Sequence, residues 1–538
     1  HQVSKVVEIC VFFIINKIKQ MKTFQKILFF LVVIPVLLLV ACSGNKKAPK
    51  LPNIVYILTD DMGYGDVSAL NEHAAWKTVN MDQLASEGMV FTDAHSGSAV
   101  CTPTRYGILT GRYSWRTSLK SGVLRGRSKP LINQGRMTIA SLLKKHGYET
   151  ACIGKWHLGL GWQFYPEKKD SINFSKPLTD TPNDHGFDYS YIIPASLDMS
   201  PYVYVENDHS TTIPTKYTVS KVKYGWWRRG LTGDDFVHEQ VLPHLTNRSV
   251  DFIRKHLKDN PDKPFFLYFA MPAPHTPILP TKEFQGKSHT NPYGDYVLEV
   301  DAMIGKVMEE IRQAGLEDNT LFIVTSDNGC SPQADYEELA KFGHNPSYVF
   351  RGTKSDIWEG GHRIPFIARW PGIVKPGTTC KQTICLTDML ATCAAITGDK
   401  LPENAGEDSY NIMPYLKGEK LNEPIRPGTV NHSIAGYFAL RKGPWKLEMC
   451  KGSGGWSFPS PRMADTMNLP PVQLYNLDKD ISETTNVWDQ HPDLVKSMKE
   501  QLKHYILEGR STPGAPQPYV KLKKWRGLGW IEGMVKDE

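Results

Sequence analysis

Asn53-Ile54-Val55-Tyr56-Ile57-Leu58-Thr59-Asp60-Asp61-Met62-Gly63-Tyr64-Gly65 is an apolar run that stops at two carboxylates in a glycine-rich turn. A strand with one wet face alternates polar and apolar residues, whereas a nearly continuous apolar run reads as a strand buried on both faces, as in a parallel sheet. The same phrase returns twice. Lys263-Pro264-Phe265-Phe266-Leu267-Tyr268-Phe269-Ala270 leads into the proline-stiffened loop Met271-Pro272-Ala273-Pro274-His275-Thr276-Pro277. Thr320-Leu321-Phe322-Ile323-Val324-Thr325-Ser326 leads into Asp327-Asn328-Gly329-Cys330. Helical patterns stand between these runs, at Met81 to Gly88, Met137 to His146, and Tyr296 to Ala314 with Val297, Val300, Ile304, Val307 and Ile311 as its buried stripe. The chain therefore reads as α/β. In open sheets of that class, ligands collect at the carboxyl ends of strands. Asp60 and Asp61 at such an end suit a hard divalent cation with oxygen ligands, though taken alone the pair also reads as a turn or helix cap.

Ser98-Ala99-Val100-Cys101-Thr102-Pro103-Thr104-Arg105 is followed by Tyr106-Gly107-Ile108-Leu109-Thr110-Gly111-Arg112. Proline suits a first helical turn, so Cys101 falls at a helix N-terminus, where N–H donors favour an anionic group. Arg105, one turn on, can point back to the same place. A cysteine there also reads as a small core residue. The next dense stretch is Gly147-Tyr148-Glu149-Thr150-Ala151-Cys152-Ile153-Gly154-Lys155-Trp156-His157-Leu158-Gly159. Lys155 and His157 lie two apart and share one side of an extended segment.

These stretches, with Phe350-Arg351-Gly352-Thr353-Lys354 through Glu359-Gly360-Gly361-His362-Arg363-Ile364-Pro365, resemble the signatures of the type I sulfatases, members of the alkaline phosphatase superfamily. Five segments match in the family's order between residues 53 and 365. The resemblance implies an alkaline-phosphatase-like fold: a large mixed, mostly parallel sheet flanked by helices, and a smaller C-terminal antiparallel sheet with a helix. It implies that a separate maturase oxidises Cys101 to formylglycine, whose hydrate attacks sulfur and then expels sulfate through its second hydroxyl. Arg105, Lys155 and Lys354 would hold the sulfate. His157 would take the proton of the second hydroxyl, a role suited to a group that titrates near neutrality, and His275 would protonate the leaving alcohol. Asp60, Asp61, Asp327, Asn328 and the formylglycine oxygen at Cys101 would hold Ca2+. In Ile193-Pro194-Ala195-Ser196-Leu197-Asp198-Met199, Ser196 matches a sulfate-contacting position. With Asp198 it forms a substrate-binding loop like those of galactose or N-acetylgalactosamine 6-sulfatases. Thr104 stands where Ser is commoner, which bears only on maturation.

Residues 1–20 precede a start-like Met21 and are set apart from the fold. From Met21, Lys22 and Lys26 precede an uncharged run, Ile27 to Ala41, too short to span a bilayer comfortably; it reads as a secretory signal. Its end, Leu39-Val40-Ala41-Cys42, resembles a bacterial lipobox, which makes Cys42 a lipidation site; a plain signal peptide is the other reading. Ser43 to Pro52 reads as a tether, so the expected divisions are 21–41 signal, 42–52 tether, 53–400 catalytic domain and 401–538 C-terminal subdomain. Of the formal charge of +7, residues 1–41 carry +4 (five Lys, one Glu) and the rest only +3. That balance excludes a nucleic-acid-binding protein. Export permits disulfides, but the six cysteines not otherwise assigned allow fifteen pairings.

Tyr224-Gly225-Trp226-Trp227-Arg228-Arg229-Gly230 lies in a region without clear periodicity; aromatics suit sugar faces and arginines suit sulfate or carboxylate, and a solvated loop with a packed Trp is the alternative. Phe366–Trp370, the hairpin Tyr437–Glu448 and Gln473–Leu477 read as strands, and Asp388–Thr397 and Pro492–Glu508 as helices. The expectation is an exported, lipid-anchored sulfatase of a Gram-negative periplasm or surface, acting on a sulfated carbohydrate. The rivals are a phosphodiesterase or phosphonate monoester hydrolase of the same superfamily, and a non-catalytic lipoprotein that binds sulfated glycans.

Overall fold

The run that begins at Asn53 is a strand, β1 (Asn53–Asp60), buried along its whole length. In the computed structural model, which describes residues 50–521 and 525–531, it lies in the middle of a ten-stranded sheet. Beside it are β2 (Glu149–Lys155), β3 (Tyr189–Ile193), β4 (Phe265–Pro274), β5 (Thr320–Ser326) and β6 (Phe366–Arg369), in the spatial order β6-β5-β1-β4-β2-β3. The five strands β5, β1, β4, β2 and β3 run parallel. β6 is antiparallel to β5, and short strands extend both edges, which makes the sheet mixed and mostly parallel. The expected signal segment, the lipidation site Cys42 and nearly all of the tether lie outside the described residues.

Both faces of the sheet are covered. Val55 and Ile57 share one core with Val297, Val300 and Ile304 of a long helix, and with Leu245 and Ile253 of its neighbour. These helices are α2 (Val241–Asp259) and α3 (Pro292–Gln313). Burying each such side chain stabilises the fold by about 1.5–3 kcal/mol. α3 starts a turn earlier than its apolar stripe indicates, because Asn291 caps it: its side-chain oxygen accepts from the backbone N–H groups of Tyr293 and Gly294. β4 also runs past the expected end at Ala270, through Pro274, because Pro274 still pairs with Asp60 across an irregularity in which β4 advances four residues while β1 advances two. On the opposite face, α1 (Cys101–Thr110) begins at Cys101 itself, with Pro103 in its first turn.

The aperiodic region after Pro201 contains short strands, including an antiparallel hairpin of Lys216–Ser220 with Trp227–Thr232. The hairpin's first strand places the apolar Tyr217 and Val219 on the solvent side, so its pattern marks no buried face. All seven described cysteines are free and buried. No helix among the described residues is long and apolar enough to cross a membrane.

The C-terminal part forms a four-stranded antiparallel meander, β7 (Thr429–His432), β8 (Phe438–Lys442), β9 (Trp445–Glu448) and β10 (Gln473–Asn476). α4 (Pro492–Leu507) packs Met498, Leu502 and Ile506 onto Leu440, Leu447 and Leu474. The segment that follows α1 enters the same core through Tyr113 and Trp115. Arg116, fully buried, forks onto Asp408 at 2.8 and 2.7 Å and donates to the Tyr505 carbonyl at 2.9 Å. Removing one partner of a buried pair strands the other charge. Asp408→Ala is therefore expected to cost about 3–5 kcal/mol, read as a lowered thermal and denaturant midpoint, while the doubly apolar Arg116→Met/Asp408→Leu chain recovers much of the loss.

Candidate active site

Five parallel strands end on one edge of the sheet, and the residues marked in the sequence lie there. Asp60 closes β1 with Asp61 next; Lys155 closes β2; His275 follows β4; Asp327 and Asn328 follow β5; Ser196 and Asp198 lie shortly after β3. Cys101 opens α1. Lys354 arrives on a separate loop whose backbone N–H donates to the Cys330 carbonyl at 2.8 Å.

The Cys101 thiol is buried and meets the Nδ1 atom of His157 at 3.3 Å. The other ring nitrogen, Nε2, lies 2.8 Å from the Leu124 carbonyl. A carbonyl only accepts, so Nε2 carries the hydrogen and Nδ1 presents its lone pair to position 101. Burial, then the Lys155 ammonium, holds His157 well below the usual imidazole range, so the ring is a neutral base. Burial likewise pushes the Cys101 thiol up, against the pull of Lys155 and Lys354. Thr102 holds this arrangement from both sides: its hydroxyl donates to the His157 carbonyl at 3.0 Å and accepts from the Leu124 N–H at 3.2 Å. Lys155 and His157 reach the site by different routes rather than along one extended face, because His157 adopts a left-handed conformation, φ 56°.

Beneath position 101 three carboxylates face three fixed cations. Lys155 Nζ donates to Asp60 Oδ2 at 2.6 Å and Lys354 Nζ to Asp61 Oδ1 at 2.5 Å. Arg105 donates from Nε and Nη2 to Asp327 Oδ2 at 2.9 and 2.7 Å, and its Nη2 lies 3.6 Å from Asp60 Oδ1. Burial would raise Asp60, but Lys155, His275, Arg105 and Lys354 outweigh it and hold the carboxyl well below its ordinary range. Burial and the Asp60 charge push Asp327 up. His275 donates from Nδ1 to the Thr276 carbonyl at 2.5 Å, which leaves Nε2 facing Asp61 Oδ2 at 3.7 Å.

Three oxygens in this cluster have no hydrogen-bond partner although buried: Asp60 Oδ1, Asp61 Oδ2 and Asn328 Oδ1. Buried polar atoms are ordinarily satisfied. Orphan oxygens from two strand ends, with an additional carboxylate at Asp327, are the donor set of a hard divalent cation, so the residues present fit a metal.

A cavity of about 540 Å³ opens above, with Cys101, His275 and Lys354 at its floor and Ser196 and Asp198 in its wall. The Ser196 hydroxyl is buried and unpartnered, and Asp198 pairs with Arg228. Trp226 and Arg229 also line the cavity, whereas Trp227 turns away and stacks on His238 at 4.0 Å. One tryptophan of that stretch thus lines the cavity and the other is packed against the core.

A family model described as Sulfatase matches residues 52–398. The chain belongs to the sulfatase family. It is 33% identical over 500 residues to an N-acetylgalactosamine-6-O-sulfatase of Bacteroides thetaiotaomicron, covering 86% of this chain and 94% of that one. It is 32% identical to human arylsulfatase A, over 89% and 93% of the two chains. Among solved structures, one described under metabolism of multiple glycosaminoglycans by Bacteroides thetaiotaomicron superposes with a TM-score of 0.74 at 32% identity, over 84% of this chain and 99% of that one. The protein is a type I sulfatase, a sulfuric ester hydrolase of the alkaline phosphatase superfamily, a family that generally uses formylglycine and a divalent metal.

The sequence reading missed the Leu124 carbonyl, Thr102, Arg125, Arg127, Gln333 and Trp456. The carbonyl carries no sequence signal; the spacing Arg125-Gly126-Arg127 did offer one. Since His157 is depressed below its ordinary range, a base at that position stays deprotonated as pH falls through 6.5 and is lost only at lower pH. Sulfate release by this sulfatase is expected to keep its acid side below that value. His157→Ala should cut turnover about 10²–10⁴-fold and remove that limb from the pH–rate profile.

Proposed function

We propose that this sulfatase hydrolyses a sulfate ester on a carbohydrate, with N-acetylgalactosamine or galactose 6-sulfate as the sugar class, using formylglycine at Cys101 and calcium. The observation that carries the reading is the approach of His157 Nδ1 to position 101 at 3.3 Å above a buried cluster of carboxylates and cations. The sugar class is supported by relatives named as N-acetylgalactosamine-6-sulfatases, the human one 28% identical over 513 residues, together with the Bacteroides one. The leader-like run and Leu39-Val40-Ala41-Cys42 support export and lipid anchoring in a Gram-negative periplasm or surface, and the Cys101 motif supports a dedicated maturase as partner.

The roles follow from charge and protonation. Asp60, Asp61 and Asp327 balance Arg105, Lys155 and Lys354, so the cluster is close to neutral by itself. A divalent cation held by Asp60, Asp61, Asp327 and Asn328 would supply the positive excess that an anionic ester offsets. Formylglycine, as its hydrate, supplies one hydroxyl to attack sulfur and a second whose deprotonation releases sulfate. His157, neutral and with its lone pair on position 101, accepts that proton. His275 faces the cavity from its floor, where an acid could reach a leaving alcohol oxygen, and Ser196 offers an unpartnered hydroxyl to the substrate. Lys354 and Lys155 place ammonium charge beside the sulfate position.

The test is a panel of singly sulfated sugars, phosphodiesters and phosphonate monoesters assayed with the matured full chain. Release of sulfate from 6-sulfated galactosamine or galactose, with phosphorus esters turned over at least about a hundredfold more slowly, is expected. Preference for a phosphodiester would transfer the chain to the sister activity, and binding without turnover would favour a glycan-binding role. Chelator treatment should abolish sulfate release and lower the thermal midpoint, and calcium should restore both.

A further inference from the structure

The cavity above Cys101 carries more positive charge than one sulfate ester requires. Arg125, Arg127, Arg228 and Arg229 all line it. The acidic residue in the same lining is Asp198, and it pairs with Arg228. Among the described residues Arg125, Arg127 and Arg229 have no carboxylate partner. The cations at the floor are already balanced by the buried carboxylates, and the scissile ester's charge is left to the divalent cation proposed above. Arg229 lies over the Tyr217 ring at 4.0 Å and Arg127 over the Phe164 ring at 5.7 Å, contacts that hold the guanidinium groups in place without neutralising them, so three charges without a carboxylate at the rim call for additional anionic charge on the ligand.

The rim is built, not incidental. Arg125 and Arg127 flank Gly126 in a turn closed by two hydrogen bonds, from the Arg125 N–H to the Ser128 hydroxyl and from the Ser128 N–H to the Arg125 carbonyl, each 2.9 Å. The Gly126 carbonyl accepts from the Trp162 indole at 2.8 Å. A Cβ on Gly126 would lie 2.5 Å from the Ser200 carbonyl oxygen, and one on Gly230 would lie 2.1 Å from the Ser200 Cβ. Two glycines, each beside an arginine pair, thus clasp Ser200 and bring both pairs to one cavity. Trp226, half-buried, and Trp456, 49% exposed, add two aromatic faces of the kind that stack on sugar rings. A volume of about 540 Å³ falls within the range of about 300–1,000 Å³ usual for small-molecule sites, so there is room beside the floor for more than the reacting group.

We infer that Arg125, Arg127 and Arg229 form a second anion subsite, and that the substrate is a polyanionic saccharide: a sulfated sugar bearing a further sulfate or a neighbouring carboxylate next to the ester that is cleaved. This rests on the sulfated-carbohydrate reading above. Planar guanidinium groups match both oxyanions in a forked geometry, so the shared chemistry is an oxyanion within reach of the rim. The tryptophans carry the intervening ring.

The experiment is calorimetric titration of the full-length Cys101→Ala chain, which binds without turning over. Three probes are compared: N-acetylgalactosamine 6-sulfate, the same unit linked to a uronate, and the same unit with a second sulfate. At least one dianionic probe is expected to bind about tenfold or more tighter than the monoanionic one, the effect of one charge-assisted contact. Which of the two gains identifies carboxylate or sulfate as the source. In the Arg125→Gln/Arg127→Gln/Arg229→Gln background the ratio should fall towards one, and added salt should erode it in the parent. Equal affinity for all three probes in the parent, or a ratio that survives the triple substitution, overturns the subsite. Sulfate release by the matured Cys101 enzyme is measured separately. No release from any probe, with the affinity ratio present, counts against the substrate reading and for the subsite.

Discussion

Three carboxylates and three cations are held out of water at the carboxyl edge of the sheet, and the remainder of the site is arranged around that fact. Each buried charge costs several kcal/mol to desolvate unless it is paired and hydrogen-bonded. Asp60, Asp61 and Asp327 meet that condition through Lys155, Lys354 and Arg105. The parallel strands make the pairing possible, since their ends deliver residues far apart in sequence to one edge. The pairing is nevertheless incomplete: three oxygens of the same cluster stay without hydrogen bonds. A fold that buries charge so carefully and leaves those oxygens open is shaped for a cation and for the anion that follows it.

The same burial decides how position 101 works. A reactive cysteine needs its thiolate, and thiolates form in exposed, electropositive sites. Here burial pushes the thiol up although two ammonium groups stand close. The neighbouring histidine presents a lone pair rather than a proton, because the Leu124 carbonyl holds its other nitrogen. A hydroxyl-bearing group at that point would find its proton acceptor in place.

Much of this is legible in the sequence. The central strands announce themselves because strands buried on both faces have no polar positions to interrupt them, and the site residues follow directly where those runs stop. Lys354 was legible by family resemblance alone. What could not be read depends on three-dimensional closure. The start of α3 is set by a polar cap rather than by its apolar stripe. The hairpin that starts at Lys216 turns the apolar Tyr217 and Val219 to solvent, so its pattern points to no core. The tail carries Trp525, which is buried beneath Lys120 at 4.0 Å and against Phe438, with no local pattern to say so. The arginine rim joins residues a hundred positions apart through a serine that two glycines allow to be approached.

The proposed formylglycine mechanism stands or falls on the chemical state of residue 101. Intact-peptide mass spectrometry across Ser98–Arg112 of the protein from its native host reads that state directly. That mechanism requires the mass change of a thiol converted to an aldehyde, in most of the protein. An unmodified thiol throughout an active preparation would contradict it and would require a nucleophile other than the one the site is built around.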